Sequence, residues 1–176
     1  MKYYSLFPGC CLDASAVAYG ISIQAICEPL GMELIELEDW NCCGSTPYGS
    51  ADVLEAVCIA TRNLALAEKK GLDLVTPCSD CYITLNKANS NLKHYPELKR
   101  RVDRILAAVG LEYQGTVRVR HLVDVVVNDI GLELIGSKVV KRLDGLKVAP
   151  YYGCQLVRPG PSFDDPENPQ SLDRLM

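Results

Sequence analysis

Long apolar runs are missing from this sequence of 176 residues. None reaches the roughly 18 residues that a membrane-spanning helix needs, so no direct span is expected. The first residues, Met1 to Pro8, hold no extended apolar stretch and no small-residue cleavage site, so no signal peptide is expected. Histidine is scarce. The two present, His94 and His121, have no partner at metal-binding spacing and read as structural residues. Charge of one sign is not in large excess either. The 18 Lys and Arg against 22 Asp and Glu leave a net charge of −4, which gives no electrostatic reason to expect nucleic acid or an acidic membrane as partner. The one basic cluster, Lys99-Arg100-Arg101, is followed by Asp103 and Arg104 in helical phase. It reads as a solvated helix face, with a partner-docking patch as the alternative.

Apolar residues make up 48% and charged residues 23%, the balance of a soluble globular domain with one ordinary core. What the chain does have is cysteine, nine in all. The odd count leaves at least one outside any intrachain disulfide scheme. Five form a spaced set: Cys10, the doublet Cys42-Cys43, and the pair in Cys78-Ser79-Asp80-Cys81. In a cytoplasmic protein such spacings read as metal or redox chemistry, not as disulfide staples.

Short β-rich runs alternate with helical stretches. Strands are expected at Tyr3–Phe7, Glu33–Leu37, Leu72–Thr76, Val117–Val119 and Leu146–Tyr151. Helices are expected from Asp13, as N-cap, to about Leu30; from Ser50, as N-cap, to about Lys70; and over Tyr82–Leu92, Pro96–Val109, Val123–Asp129 and Leu134–Arg142. Gly31 and Gly71 supply the stops of the first two. This alternation implies an α/β fold, a parallel Rossmann-like sheet flanked by helices. Cys10 follows the first expected strand, Cys42-Cys43 lies just beyond the second, Cys78 and Cys81 come right after the third, and Cys154 follows the fifth. The carboxyl ends of parallel strands share one edge, where open α/β folds bind ligands. The five cysteines should therefore converge there.

Five thiols exceed what one tetrahedral zinc requires, and adjacent cysteines chelate a single ion awkwardly. An iron–sulfur cluster has several metal atoms and can use all five. A dithiol acting alone would explain Cys78 and Cys81 but not the other three. Cys27 and Cys58 fall inside expected helices and read as small buried core residues. Cys11 is either a substitute ligand or an exposed reactive thiol. Trp40 either shields a cluster from water or anchors its loop in the core. Gly44, Pro47 and Gly49 mark a shaped loop suited to close backbone approach.

The runs Phe7-Pro8-Gly9-Cys10, Asn41-Cys42-Cys43-Gly44 and Pro77-Cys78-Ser79-Asp80-Cys81 resemble the cysteine-rich CCG domain, and more closely the B subunit of heterodisulfide reductase. The segments Tyr151 to Pro159 and Phe163 to Pro169 resemble the start of that family's second CCG repeat. The resemblance implies a first CCG domain over residues 1–145 and the beginning of a second, truncated repeat over 146–176. It implies a non-cubane 4Fe-4S cluster on Cys10, Cys42, Cys43, Cys78 and Cys81, with Cys154 as the first ligand of a second site. It also implies partners: an iron–sulfur C subunit, fed by the flavin-bearing A subunit, and a disulfide substrate reduced between two clusters. In methanogens that substrate is the mixed disulfide of coenzyme M and coenzyme B. The offset between Cys10 and Cys154, applied to the doublet, places its second copy past Met176. A longer chain or a separate polypeptide is expected to supply it, and the polar tail Pro159–Arg174 is expected to be loosely ordered. Two alternatives stand beside this one. The first is a non-catalytic CCG module holding zinc or one cluster for docking. The second is a thiol-disulfide protein using Cys78 and Cys81.

Overall fold

A computed structural model of the chain describes residues 1–45, 47–158 and 163–176. Four parallel strands, β1 (Lys2–Leu6), β2 (Met32–Glu36), β3 (Leu74–Thr76) and β4 (Val119–His121), form one sheet in the order β2-β1-β3-β4. β1 pairs with β2 over its whole length and with β3 through Ser5↔Leu74 and Leu6↔Val75. β3 pairs with β4 through Leu74↔Val119 to Thr76↔His121. Every residue of β3 is buried, as expected of a parallel strand covered on both faces.

Alternate side chains of the strands feed two cores. On one face, Phe7 and Leu74 pack with Leu64, Leu85 and Val102. These come from α3 (Val53–Lys70), α4 (Ser79–His94) and α5 (Pro96–Ala107). On the other face, Tyr4 and Val75 pack with Ile23 of α1 (Val17–Cys27), Leu122 of the short α6 (Leu122–Asp124), and Val125.

Two helix starts differ from expectation. Asp52, not Ser50, caps α3: its Oδ1 accepts from the Leu54 and Glu55 amides at 2.7 and 3.1 Å. Ser50 belongs instead to a separate short helix, α2 (Pro47–Ala51). Asp13 caps nothing: residues 10–16 form turns, and α1 begins at Val17 without a side-chain cap. The Gly71 stop is as expected, left-handed at φ 67°. The fourth strand lies slightly later than expected, at Val119–His121.

The fifth strand does not form. Residues 146–151 have no sheet partner, and Leu146, Val148 and Tyr151 are exposed. Alternation of apolar and polar residues fits a pleated, half-buried surface and needs a neighbouring strand to become one. From residue 163 onward the tail is more firmly hydrogen-bonded than expected. Asp164 accepts from the Gln170 and Ser171 amides and the Ser171 hydroxyl. These bonds set up α9 (Ser171–Leu175), whose Leu175 packs on the second core. Pro159 to Ser162 lie outside the described residues.

After α6 the chain runs as a π-helix, Val125–Ile130, and then as α7 (Leu132–Lys138). The wider turn of the π-helix suits what it holds. Asp124 and Asp129, five apart, both reach the Arg120 guanidinium, at 2.6 and 2.5 Å. Arg120 is 3% exposed, and Tyr4 of β1 donates to the same Asp129 at 2.7 Å. The Arg120 bonds, then Tyr4, hold the Asp129 carboxyl below its ordinary range. His121, edge-on to Tyr82 of α4, accepts from the Val123 amide, and burial lowers its pKa from 6.5 to about 4.

Removing Arg120 strands two carboxylates. The Arg120→Met variant should lose about 3 kcal/mol in urea unfolding. The lowered His121 pKa means the unfolded chain takes up a proton first as pH falls. Its contribution is complete above about 6.5 and is lost toward about 4. Stability should therefore drop over that window, and His121→Gln should flatten the drop. A slope unchanged in that variant would assign it to other groups.

Candidate metal centre

The strand order fixes where loops meet. The chain leaves β1 toward β2 on one side, and β3 lies on the other, so the carboxyl ends of β1 and β3 flank the switch point of the sheet. Cys10 follows β1, and Cys78 and Cys81 follow β3. The Cys42-Cys43 loop follows β2, beside β1.

Three sulfurs form an inner group. Cys43 and Cys81 are each 3% exposed, and Cys78 is half-buried. The Cys81 thiol hydrogen-bonds to both other sulfurs, and this bond leads in lowering Cys43 and Cys78 from 9.0 to about 6. Ser45 adds its amide and hydroxyl to Cys43. Cys78 is the N-cap of α4, and the nearby Asp80 and Cys81 amides, the first free donors of that helix, add to the lowering of its thiol. Serving two acceptors, Cys81 is itself pushed far up.

Cys10 and Cys42 form an outer, exposed pair. Their sulfurs are in hydrogen-bond contact, and Cys11 also touches Cys10. Desolvation, followed by the Cys42 and Cys11 sulfurs, pushes the Cys10 thiol up. Adjacency in the chain joins the two groups through Cys42-Cys43, and a glycine joins them through space. Gly9 has φ 73°, and a Cβ built there would lie 2.9 Å from Cys81 Sγ. Any side chain at this position would collide with the inner group.

Several residues that hold the site were not legible as site residues. Asn63 of α3 is completely buried. Its Oδ1 accepts from the Asn41 amide and its Nδ2 donates to the Asn41 carbonyl, both at 2.9 Å. It thus pairs with the loop backbone as a strand would. Arg62 donates to the Asp39 carbonyl and to Asn41 Oδ1. One signal was present: Asn63 interrupts the apolar stripe Ala60, Leu64, Ala67 on the buried face of α3. Trp40 packs edge-on against Phe7, centroids 5.5 Å apart, and its Nε1 donates to Glu36 at 3.1 Å. These contacts make it an anchor between the doublet loop and the end of β1. Gly44, at φ 81°, packs its backbone against Ile59, while Gly49 lies in α2.

The remaining cysteines stand apart. Cys27 and Cys58 are half-buried, not fully buried as expected. The Cys27 thiol donates to the Ile23 carbonyl one turn back, and Cys58 packs at the edge of the larger core. Cys154 does not follow a strand. It opens the short helix α8 (Cys154–Val157), is exposed, and sits beside α4, to which Gln155 is tied through Asp80. Among the described residues, no three of His, Cys, Asp or Glu close on one point as ligands of a single ion would. The arrangement is thus an inner trio, Cys43, Cys78 and Cys81, beside an exposed pair, Cys10 and Cys42, with backbone close-packed at Gly9.

Asn63→Ala should cost about 1 to 3 kcal/mol, because it leaves the loop amide and carbonyl without partners. It should also speed alkylation of the otherwise buried Cys43, read by mass spectrometry of the metal-free chain. Unchanged Cys43 protection would show that the loop is held without this clamp.

Comparison with known proteins agrees with this geometry. Residues 4–86 match the family model of the CCG cysteine-rich domain. The chain is 37% identical over 182 residues to a protein of Archaeoglobus profundus described as like the heterodisulfide reductase B subunit, covering 99% of this chain and 60% of that one. It is also 37% identical to the 8-methylmenaquinol:fumarate reductase membrane anchor subunit of Wolinella succinogenes, covering 99% and 61%. It is 32% identical to the B subunit of the ferredoxin/F(420)H(2)-dependent CoB-CoM heterodisulfide reductase of Methanosarcina acetivorans, covering 100% and 59%. The chain thus spans about 60% of the length of the curated relatives it matches. No helix among the described residues is long and apolar enough to cross a membrane. A hypothetical protein from Helicobacter pylori shares the fold, with a TM-score of 0.60 at 22% identity over 70% of this chain and 24% of that one. With its three cysteine motifs gathered at the switch point of a parallel sheet, the chain carries a CCG cysteine-rich domain over residues 4–86 and is similar along its whole length to B subunits of heterodisulfide reductases.

Proposed function

We propose that Cys10, Cys42, Cys43, Cys78 and Cys81 hold an iron–sulfur cluster of the non-cubane 4Fe-4S type. On this reading the chain is the iron–sulfur subunit, or part of it, of a heterodisulfide reductase-type complex in the cytoplasm. Residues 1–145 are the first CCG domain and 146–176 the beginning of the second. The observation that carries the proposal is the mutual contact of Cys43, Cys78 and Cys81 with the Cys10–Cys42 pair alongside. The cluster would supply one-electron steps between a donor and a disulfide. The partners this reading calls for are an iron–sulfur C subunit and the flavin-bearing A subunit, the set that the family resemblance implies. Two of the relatives are named as B subunits of CoB-CoM heterodisulfide reductases, which supports a place in such a complex.

The chain's own residues have defined parts. Cys43, Cys78 and Cys81 bind metal as thiolates, so the proton that Cys81 shares with the other two sulfurs is released on binding. The Asp80 and Cys81 amides neutralise charge on the Cys78 sulfur. Phe7 and Trp40 cover one flank with apolar surface. The exposed Cys10–Cys42 side is left as the approach for substrate or donor. Cys154, exposed beside α4, is available to a second site completed by residues outside this chain.

The test is iron and acid-labile sulfide analysis, with absorption spectra, of chain made and reconstituted without oxygen. Iron and sulfide should appear together. Both should fall sharply in Cys43→Ser and Cys81→Ser. They should persist in Cys27→Ala and Cys58→Ala, which should cost only on the order of 1 kcal/mol. Stoichiometric zinc without sulfide would turn the reading to a docking module. Metal-free disulfide reduction that needs Cys78 would turn it to thiol chemistry, which the position of Cys78 at a helix N-terminus favours.

A further inference from the structure

Helix α1 has an unusual surface for its surroundings. Its sequence, Val17–Cys27, contains no charged residue, yet it buries only Ile23. Val17, Tyr19, Ile21 and Ile26 are exposed, Ile21 to 62%. A helix apolar on all sides belongs in an interior, and one facing water lacks a partner. Alongside it runs β2, the edge strand of the sheet. Between helix and strand lies a groove of about 530 Å³. Leu12, Val17, Ile21 and Leu34 line it with apolar surface. Among the described residues its charged side chains are of one sign, Asp13, Glu28, Glu33 and Glu36, with the Met1 amine as the one cation at its rim.

We propose that this groove docks a basic amphipathic helix of a partner protein. The apolar floor takes one face of such a helix, and the four carboxylates meet Lys or Arg along its flanks. α1 is about 16 Å long at 1.5 Å per residue, which matches some three turns of a partner helix. The same carboxylates repel anionic lipid headgroups. A second copy of the chain would bring like charges together. The groove ends at Pro8 and Leu12, next to Cys10, and Tyr19 of α1 lies near Cys78. A partner seated here therefore borders the cysteine rim. The proposal rests on the shape and charge of the groove and holds whichever group the cysteines bind.

The probe is a fluorescein-labelled 18-residue Leu/Lys amphipathic peptide, compared with a Leu/Glu peptide of the same apolar face. Anisotropy with the full 176-residue chain should show saturable one-to-one binding of the Leu/Lys peptide only. Binding should weaken at least tenfold in Ile21→Asp and in the double variant Glu28→Lys, Glu33→Lys. It should be unchanged in Glu112→Lys, Asp144→Lys, which alters the net charge equally outside the groove. Circular dichroism checks folding. If Ile21→Asp does not fold, the double variant, whose two side chains are exposed, decides. Absence of binding, equal binding of the Leu/Glu peptide, or equal weakening by the outside pair would overturn the proposal. Flotation with phosphatidylserine vesicles would reassign the face to a membrane, and a concentration-dependent dimer in sedimentation would reassign it to a second copy. Either result would overturn it too.

Discussion

The pairing of β1 with β3 is the constraint on which the site depends. Two rungs, Ser5↔Leu74 and Leu6↔Val75, set the end of one strand beside the end of the other. Cys10 and the Cys78/Cys81 pair, nearly seventy residues apart in sequence, are brought together by this register and by nothing local. A slip of one residue would turn Leu74 and Val75 to opposite cores and carry Gly9 away from Cys81. The register is defended from both faces. Leu74 is locked among α3, α4 and α5, and Val75 among α1, α6 and the π-helix.

Charge fastens the far side of the same sheet. Arg120 leaves β4 and holds Asp124 and Asp129, while Tyr4 of β1 holds Asp129 from across the sheet. β3, lying between, is clamped at its neighbours on either side. The π-helix follows from this demand: two carboxylates five residues apart face one guanidinium more readily on a wider turn.

The first three strands, their order of use and the helices after β3 were legible because each combines periodicity with a Pro or Gly stop. Pro77 ends β3 and Gly71 ends α3. The cysteine set was legible from spacing, and its placement at the strand ends follows from parallel topology. What was not legible depends on partners distant in sequence. Leu146–Tyr151 has the pattern of a strand but no neighbour to pair with. Asp52 and Ser50 are both good caps, and only packing chooses between them. The tail reads as polar and loose, yet Asp164 gathers the Gln170 and Ser171 amides and the Ser171 hydroxyl there. Asn63 is the instructive omission. A polar residue on a buried helix face has to hydrogen-bond something, and here it completes the backbone of the doublet loop.

The doublet itself carries a further consequence. Cys42 is exposed and joins Cys10, whereas Cys43 is buried and joins Cys81. The two adjacent thiols thus serve two different sides of the centre. The motif is therefore sensitive to sequence length in a way that a looser chelate is not. One inserted residue would draw one of the two sulfurs away from its partner, though every cysteine would still be present. The count of residues within the pair is as constrained as the glycine and asparagine that flank it.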